Sequence, residues 1–195
     1  YFDVDTADVV ARMKAALFFC RVSYNNFMSL IEQKPDAYGP FWIATTLVFV
    51  AAVTSHFSSW VAAWLLGRVW VYNFEEILSI SSVIYGFSSS VPVVIWFILK
   101  QLGASLRLMN TICLYGYSLT IFVPAAMVCV APSETVHWLA LTAAAALSAL
   151  FLIRNLAPIV VQHLRQHAAL FLGGVGLTQM IFVLVLKLCF FYRDE

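Results

Sequence analysis

His163 and His167 stand four residues apart, a spacing that places two imidazoles on one helical face and could begin a metal site. No Cys, Asp or Glu lies near enough in sequence to complete the ligand set, so they are expected to be solvated residues at a membrane surface, with no metal and no cofactor. His56 lies inside a long apolar run beside Thr54, Ser55 and Ser58 and is expected to hydrogen-bond to a neighbouring helix. Acid or base chemistry within a membrane needs ionisable groups turned toward a bundle interior, where a charge costs at least ~2.5 to 3.5 kcal/mol. Glu75 and Glu76, at the start of one apolar run, and Lys187, about a turn from the end of another, are placed instead as interfacial anchors that snorkel to water. They are also spaced to form an ion pair at one edge of the bundle. Asp3, Asp5, Asp8 and Asp36 all precede the apolar runs. There is no H-E-x-x-H, G-x-S-x-G or phosphate-binding glycine loop, and no pair of aspartates within an apolar run, so the sequence points away from an enzyme. Cys20, Cys113, Cys129 and Cys189 make no C-x-x-C pair and no disulfide framework; they read as small apolar side chains in packed helices, with palmitoylation of Cys20 left open.

The elements that must position these residues follow from composition. With 63% hydrophobic and 11% charged residues and a mean hydropathy of +0.89, the chain cannot cover a water-facing surface and belongs in a bilayer. A net charge of +1 and the lack of any basic run give no footprint for nucleic acid. The expected fold is an all-α integral membrane protein, a five-transmembrane-helix bundle preceded by an amphipathic cytosolic or interfacial helix. Residues 7 to 34 carry that helix, with Val10, Met13, Leu17, Cys20 or Arg21, Tyr24, Phe27 or Met28 and Ile31 recurring every three or four places. Asp5 or Thr6 can cap it, and it can lie on the bilayer or dock on the bundle.

Against the roughly 20 residues a helix needs to cross the hydrocarbon core, five spans are placed near 41–60, 77–99, 108–130, 136–153 and 168–192. This divides the chain into a cytosolic N-terminal segment, 1–40, and a membrane domain, 41–195. Val61 to Glu76, with Trp64, Trp70 and Tyr72, is read as an interfacial cap following Trp60. A cytosolic N-terminus puts Arg12, Lys14, Arg21, Lys34, Lys100, Arg107, Arg154 and Arg165 in the cytosol and only Arg68, Lys187 and Arg193 in the lumen, which is the favoured orientation. The C-terminus is then lumenal. The sequence opens at Tyr1 with no signal-peptide pattern, and the first span is expected to serve as the targeting signal.

Small residues recur every four positions on two spans, Ser82, Gly86 and Ser90 on the second and Ala140, Ala144 and Ser148 on the fourth. Such stripes let helix backbones approach closely, within the bundle or against a partner subunit.

Two local patterns are more specific. Asp36-Ala37-Tyr38-Gly39-Pro40-Phe41-Trp42-Ile43 is a polar turn that passes directly into the first apolar run. Pro40 suits the first helical turn, Gly39 permits a bend before it, and Tyr38 and Trp42 are amphipathic rings suited to a headgroup boundary. In the third span Tyr115-Gly116-Tyr117-Ser118-Leu119 leads to Pro124, a combination expected to give a bent, tightly packed helix. The first pattern resembles the Asp-Leu-Tyr-Gly-Pro-Phe-Trp-Ile motif of the Yip family, Rab-interacting five-pass membrane proteins of the Golgi and early secretory pathway. The second, and the opening Tyr1-Phe2-Asp3-Val4-Asp5-Thr6, match that family in the same order, the last resembling a Golgi-resident branch. Ala37 stands where the family usually has Leu.

The resemblance implies a non-enzymatic trafficking factor in the Golgi membrane, cycling with the endoplasmic reticulum. Its partners would be the lipid bilayer, Rab-type small GTPases and Yip-family paralogues in homo- or hetero-oligomers. The cytosolic helix and the turn from Asp36 to Trp42 are the implied contact surfaces, with Asp36 expected to orient the helix against the bundle. The competing class is a small transporter, channel or lipid-handling protein, for which Gly- and Pro-interrupted spans speak, and the lack of intramembrane charges and of an inverted repeat speaks against.

Overall fold

The computed structural model describes residues 5–19, 26–69, 75–104, 106–131, 133–163 and 167–190. Among them every regular element is helical. Five stretches are long and apolar enough to cross a membrane: Tyr38–Leu66, Glu75–Gln101, Leu108–Val128, Glu134–His163 and Ala168–Leu188.

Two short helices come first, α1 (Thr6–Leu17) and α2 (Asn26–Gln33). The single amphipathic helix expected over 7–34 is therefore divided, and its members Cys20, Arg21 and Tyr24 lie outside the described residues. The buried face of α1 is also rotated from the one the periodicity suggested. Val10 and Leu17 are exposed, whereas Arg12, Ala15 and Ala16 are buried, because Arg12 is drawn inward to a carboxylate. The segment docks on the bundle. Phe27 of α2 meets Tyr117 and Phe151 edge to face at 5.9 and 4.9 Å, Phe19 meets Phe151 at 5.9 Å, and Arg154 Nη1 donates to the Phe19 carbonyl at 2.8 Å.

The first span, α3 (Tyr38–Leu66), runs past Trp60 and Trp64 as continuous helix. The cap expected from Val61 onward is thus partly helix, since Val61 to Leu66 contains no breaker and the helix stops only at Gly67, left-handed at φ 62°. Trp70 and Tyr72 lie outside the described residues. The second span is α4 (Glu75–Gln101).

The third span is interrupted. α5 (Leu108–Ser118) gives way to a 3₁₀ turn at Leu119–Ile121 and then to α6 (Phe122–Val128). Pro124 supplies the cause: it has no N–H for the Thr120 carbonyl, and its ring crowds that carbonyl, so the helix tightens just upstream. This span is the centre of the bundle, with 72% of its most apolar stretch buried against 22% for α4. The fourth span, α7 (Glu134–His163), extends ten residues beyond the expected end at 153, continuing through Pro158, and α8 (Ala168–Phe190) completes the bundle.

The two small-residue stripes part company. Ala144 and Ser148 are buried and Ala140 half-buried, inside the bundle. Ser82, Gly86 and Ser90 are exposed, and a Cβ built on Gly86 meets nothing within 4 Å.

Candidate functional site

Lys34, Pro35, Asp36 and Ala37 link α2 to α3, and Asp36 is fully buried although it lies outside any span. An isolated buried carboxylate is expensive, so its partners define the site. Asp36 Oδ2 accepts from Arg12 Nη1 at 2.6 Å and from the Tyr117 hydroxyl at 2.8 Å. The second arm of the Arg12 fork, Nη2, donates to the carbonyls of Leu30 at 3.0 Å and Lys34 at 2.7 Å. The Asp36 backbone is held as well: its N–H donates to Cys113 Sγ at 3.3 Å, and the Cys113 thiol donates to its carbonyl at 2.7 Å. One carboxylate thereby joins α1, the end of α2, the start of α3 and α5.

Immediately downstream the two sequence patterns interlock. Gly39 lies in the first turn of α3 without a left-handed backbone, so its role is room and not the bend expected of it. A Cβ there would overlap the Tyr117 hydroxyl and stand 2.5 Å from Tyr117 Cζ. Conversely, a Cβ on Gly116 would overlap Pro40 Cβ and come within 2.8 Å of Pro40 Cα. Each pattern supplies a glycine into which the other places a bulky residue. Gly116 therefore gives close approach of α5 to α3, where the sequence suggested only a loosened helix. Pro40 sits where the helix has no use for its missing N–H.

Of the residues predicted as a possible partner contact, Asp36, Gly39 and Pro40 are internal, and so cannot touch another protein through their side chains. Tyr38, Phe41 and Trp42 are exposed and form a ring cluster, with Tyr38 and Phe41 centred 6.0 and 5.7 Å from Trp42. In the third-span pattern Tyr115, Gly116 and Tyr117 are buried and Pro124 is exposed. The donors and acceptors around Asp36 are spent on one another, and Cys113 has no exposed surface. Such an arrangement positions helices and offers no access to a substrate.

The charged residues at the opposite end pair differently from expectation. Lys187 Nζ donates to Glu134 Oε1 at 2.9 Å and lies 5.8 Å from the centre of the Trp138 ring, while Glu76 approaches His56 Nδ1 at 3.5 Å. Lys187 on α8 packs beside α7, which brings Glu134 rather than Glu75 or Glu76 within reach. His163 is the last described residue of α7 and His167 directly precedes α8; the segment that joins them, 164–166, lies outside the described residues. Among the described residues no three His, Cys, Asp or Glu side chains gather to hold a metal ion.

Sequence reasoning missed Arg12 and Cys113. The signal for Arg12 was present, since Val9, Arg12 and Ala16 share one helical stripe with the small residue Ala15 beside it. Nothing marked Cys113 as the partner of a loop 77 residues away.

The Yip1 domain model matches residues 22–186. The chain is 35% identical over 190 residues to a Dictyostelium discoideum protein named "Protein YIPF1 homolog", covering 97% of this chain and 54% of that protein. It is 29% identical over 198 residues to "Protein YIP5" of Schizosaccharomyces pombe, covering 97% of this chain and 78% of that one. The chain thus spans about half the length of the Dictyostelium relative. No solved structure matches it.

Proposed function

This chain belongs to the Yip1-domain family of multi-pass membrane proteins, and from that premise we propose that it acts without catalysis in vesicle-mediated transport and Golgi organisation. On this reading it is a Golgi membrane protein with a cytosolic N-terminus and a lumenal C-terminus. It engages Rab-type small GTPases and Yip-family paralogues through the outer face of its docked N-terminal segment.

The observation that carries the reading is the ion pair of Arg12 with Asp36, which fixes α1 on the bundle. With its buried face committed to the bundle, α1 turns Val10, Leu17 and the following Phe18 outward, Phe18 being 60% exposed. A fixed helix with an apolar outer face binds a partner without first losing the entropy of being ordered. The exposed Tyr38, Phe41 and Trp42 lie at the start of α3, suited to the headgroup region of the bilayer.

The test is affinity capture of the full-length protein from gently solubilised membranes, with partners identified by mass spectrometry, comparing wild type with Phe18→Glu. Deletion of residues 1–34 is a poorer probe, because it strips Asp36 of its counter-charge. Rab GTPases and paralogues recovered with wild type and lost with the variant would support the reading. Recovery of neither, from a folded and Golgi-localised protein, would overturn it.

A further inference from the structure

At the end of the bundle that carries the N-terminal segment, a cavity of about 320 Å³ opens between α2, the start of α5 and the end of α7. It is of the size at which small-ligand pockets begin. Glu32, Arg107, Asn110, Gln162 and His163 line it. Among the described residues Arg107 and Glu32 are not joined by an ion pair, although both face the same space.

The lining carries groups of opposite charge. Arg107 precedes α5, whose first turn has no side-chain cap, so a cationic fork and a helix N-terminus meet on one side. The Glu32 carboxylate lines the same cavity, with Gln162 and His163 of α7 beside it in the lining. Asn110, in the same lining, is 4% exposed, and its Oδ1 has no hydrogen-bond partner. A buried amide oxygen without a donor is costly, and a ligand N–H would relieve it. The Arg107 side of the cavity is held in place: Trp96 Nε1 donates to the Leu106 carbonyl at 3.1 Å, and the Asn110 N–H to the Arg107 carbonyl at 3.0 Å. Leu106 and Ile159 complete the lining with apolar surface, and Arg107 directly precedes the third span, which places the cavity at the membrane boundary.

We propose that this cavity is a binding site for the phosphoethanolamine headgroup of a membrane phospholipid, its phosphate on Arg107 and the start of α5, and its ammonium on Glu32 and Asn110 Oδ1. A simple anion would be opposed by Glu32 and a simple cation by Arg107, whereas a headgroup carrying both charges satisfies both residues. A primary ammonium donates three hydrogen bonds, and the quaternary ammonium of choline donates none, so the site distinguishes two headgroups of equal net charge. The bound lipid would bridge the docked segment to the third and fourth spans.

The test uses the purified full chain, delipidated and then exposed to equimolar phosphatidylethanolamine and phosphatidylcholine, with retained lipid counted by native mass spectrometry. Wild type is expected to retain the ethanolamine lipid in preference by on the order of tenfold, the equivalent of one charge-assisted hydrogen bond. Glu32→Gln is expected to remove the preference between headgroups, and Arg107→Gln to remove retention of both. Both residues are exposed, so the variants are expected to keep the wild-type unfolding temperature, which is measured alongside. Equal retention of the two lipids by wild type, or a preference that survives both variants, overturns the proposal. Soluble phosphoethanolamine and inorganic phosphate form a parallel arm. A shift of the unfolding temperature by soluble phosphoethanolamine without any retained lipid overturns the membrane source.

Discussion

Replacing Arg12 by Met removes the counter-charge of a carboxylate that has no exposed surface. Asp36 then keeps only the Tyr117 hydroxyl and the weak thiol contacts of Cys113, and breaking a buried pair from one side costs about 3 to 5 kcal/mol. Asp36→Leu strands the guanidinium but leaves it the carbonyls of Leu30 and Lys34, which puts its cost near the lower end, about 3 kcal/mol. The double variant buries two apolar side chains in place of two charges, and its residual penalty is the unpaired Tyr117 hydroxyl, about 1 to 3 kcal/mol. The singles thus sum to about 6 to 8 kcal/mol while the double costs far less, a coupling of at least ~3 kcal/mol. Adding Tyr117→Phe to the double should recover part of the remainder. The assay is reversible unfolding of the full chain in one fixed detergent. If the double equals the sum of the singles within about 0.5 kcal/mol, the pair does not hold the segment and the reasoning fails.

Gly116→Ala is expected to destabilise by about 1 to 3 kcal/mol or more in the same assay, because the new methyl meets the backbone of Pro40 and not a flexible side-chain end. A wild-type unfolding curve would show that α3 and α5 are not so close. Gly86→Ala is the control, with open space around the new methyl and a helix interior that favours Ala; a gain of up to about 1 kcal/mol is expected. A marked loss, or a change in oligomeric state, would place a partner on the Ser82, Gly86 and Ser90 face. Glu134→Gln should cost no more than about 1 kcal/mol, since its carboxylate is 66% exposed and solvent screens the pair with Lys187. A larger loss would mean that Glu134 is covered in the membrane.

The five spans were legible because hydrocarbon leaves little choice: runs of about 20 apolar residues between polar turns are helices. Their ends were less so. The fourth span, short at 136–153, can be lengthened through Asn155 and Leu156 on sequence grounds; the helix does so, with the polar groups of Arg154 and Asn155 satisfied by the Phe19 and Phe151 carbonyls, and then runs on through Pro158 to His163, which its length did not require. The patterns 36–43 and 115–124 stood out by residue type, yet their relation to each other did not. That Gly39 admits Tyr117 and Gly116 admits Pro40 is a fact of tertiary packing, since these partners lie 78 and 76 residues apart in sequence. Helical periodicity found helix in the N-terminal segment but ran α1 and α2 together, and it assigned the buried face to Val10 and Leu17, because hydrophobicity alone cannot foresee an arginine pulled inward by a buried aspartate. The ion pair of Lys187 was misassigned for a similar reason: the sequence offers several carboxylates, and only the packing of α7 against α8 selects Glu134.

Amide hydrogen exchange across Thr6–Leu17, compared between wild type and Asp36→Leu in lipid nanodiscs, tests the central claim most directly: that a buried lock, and not a surface contact, holds the N-terminal segment on the bundle. Wild-type α1 is expected to exchange slowly, and the variant at least about 100-fold faster if some 3 kcal/mol of docking is lost, with α7 unchanged. Equal exchange of α1 in the two proteins would contradict the account.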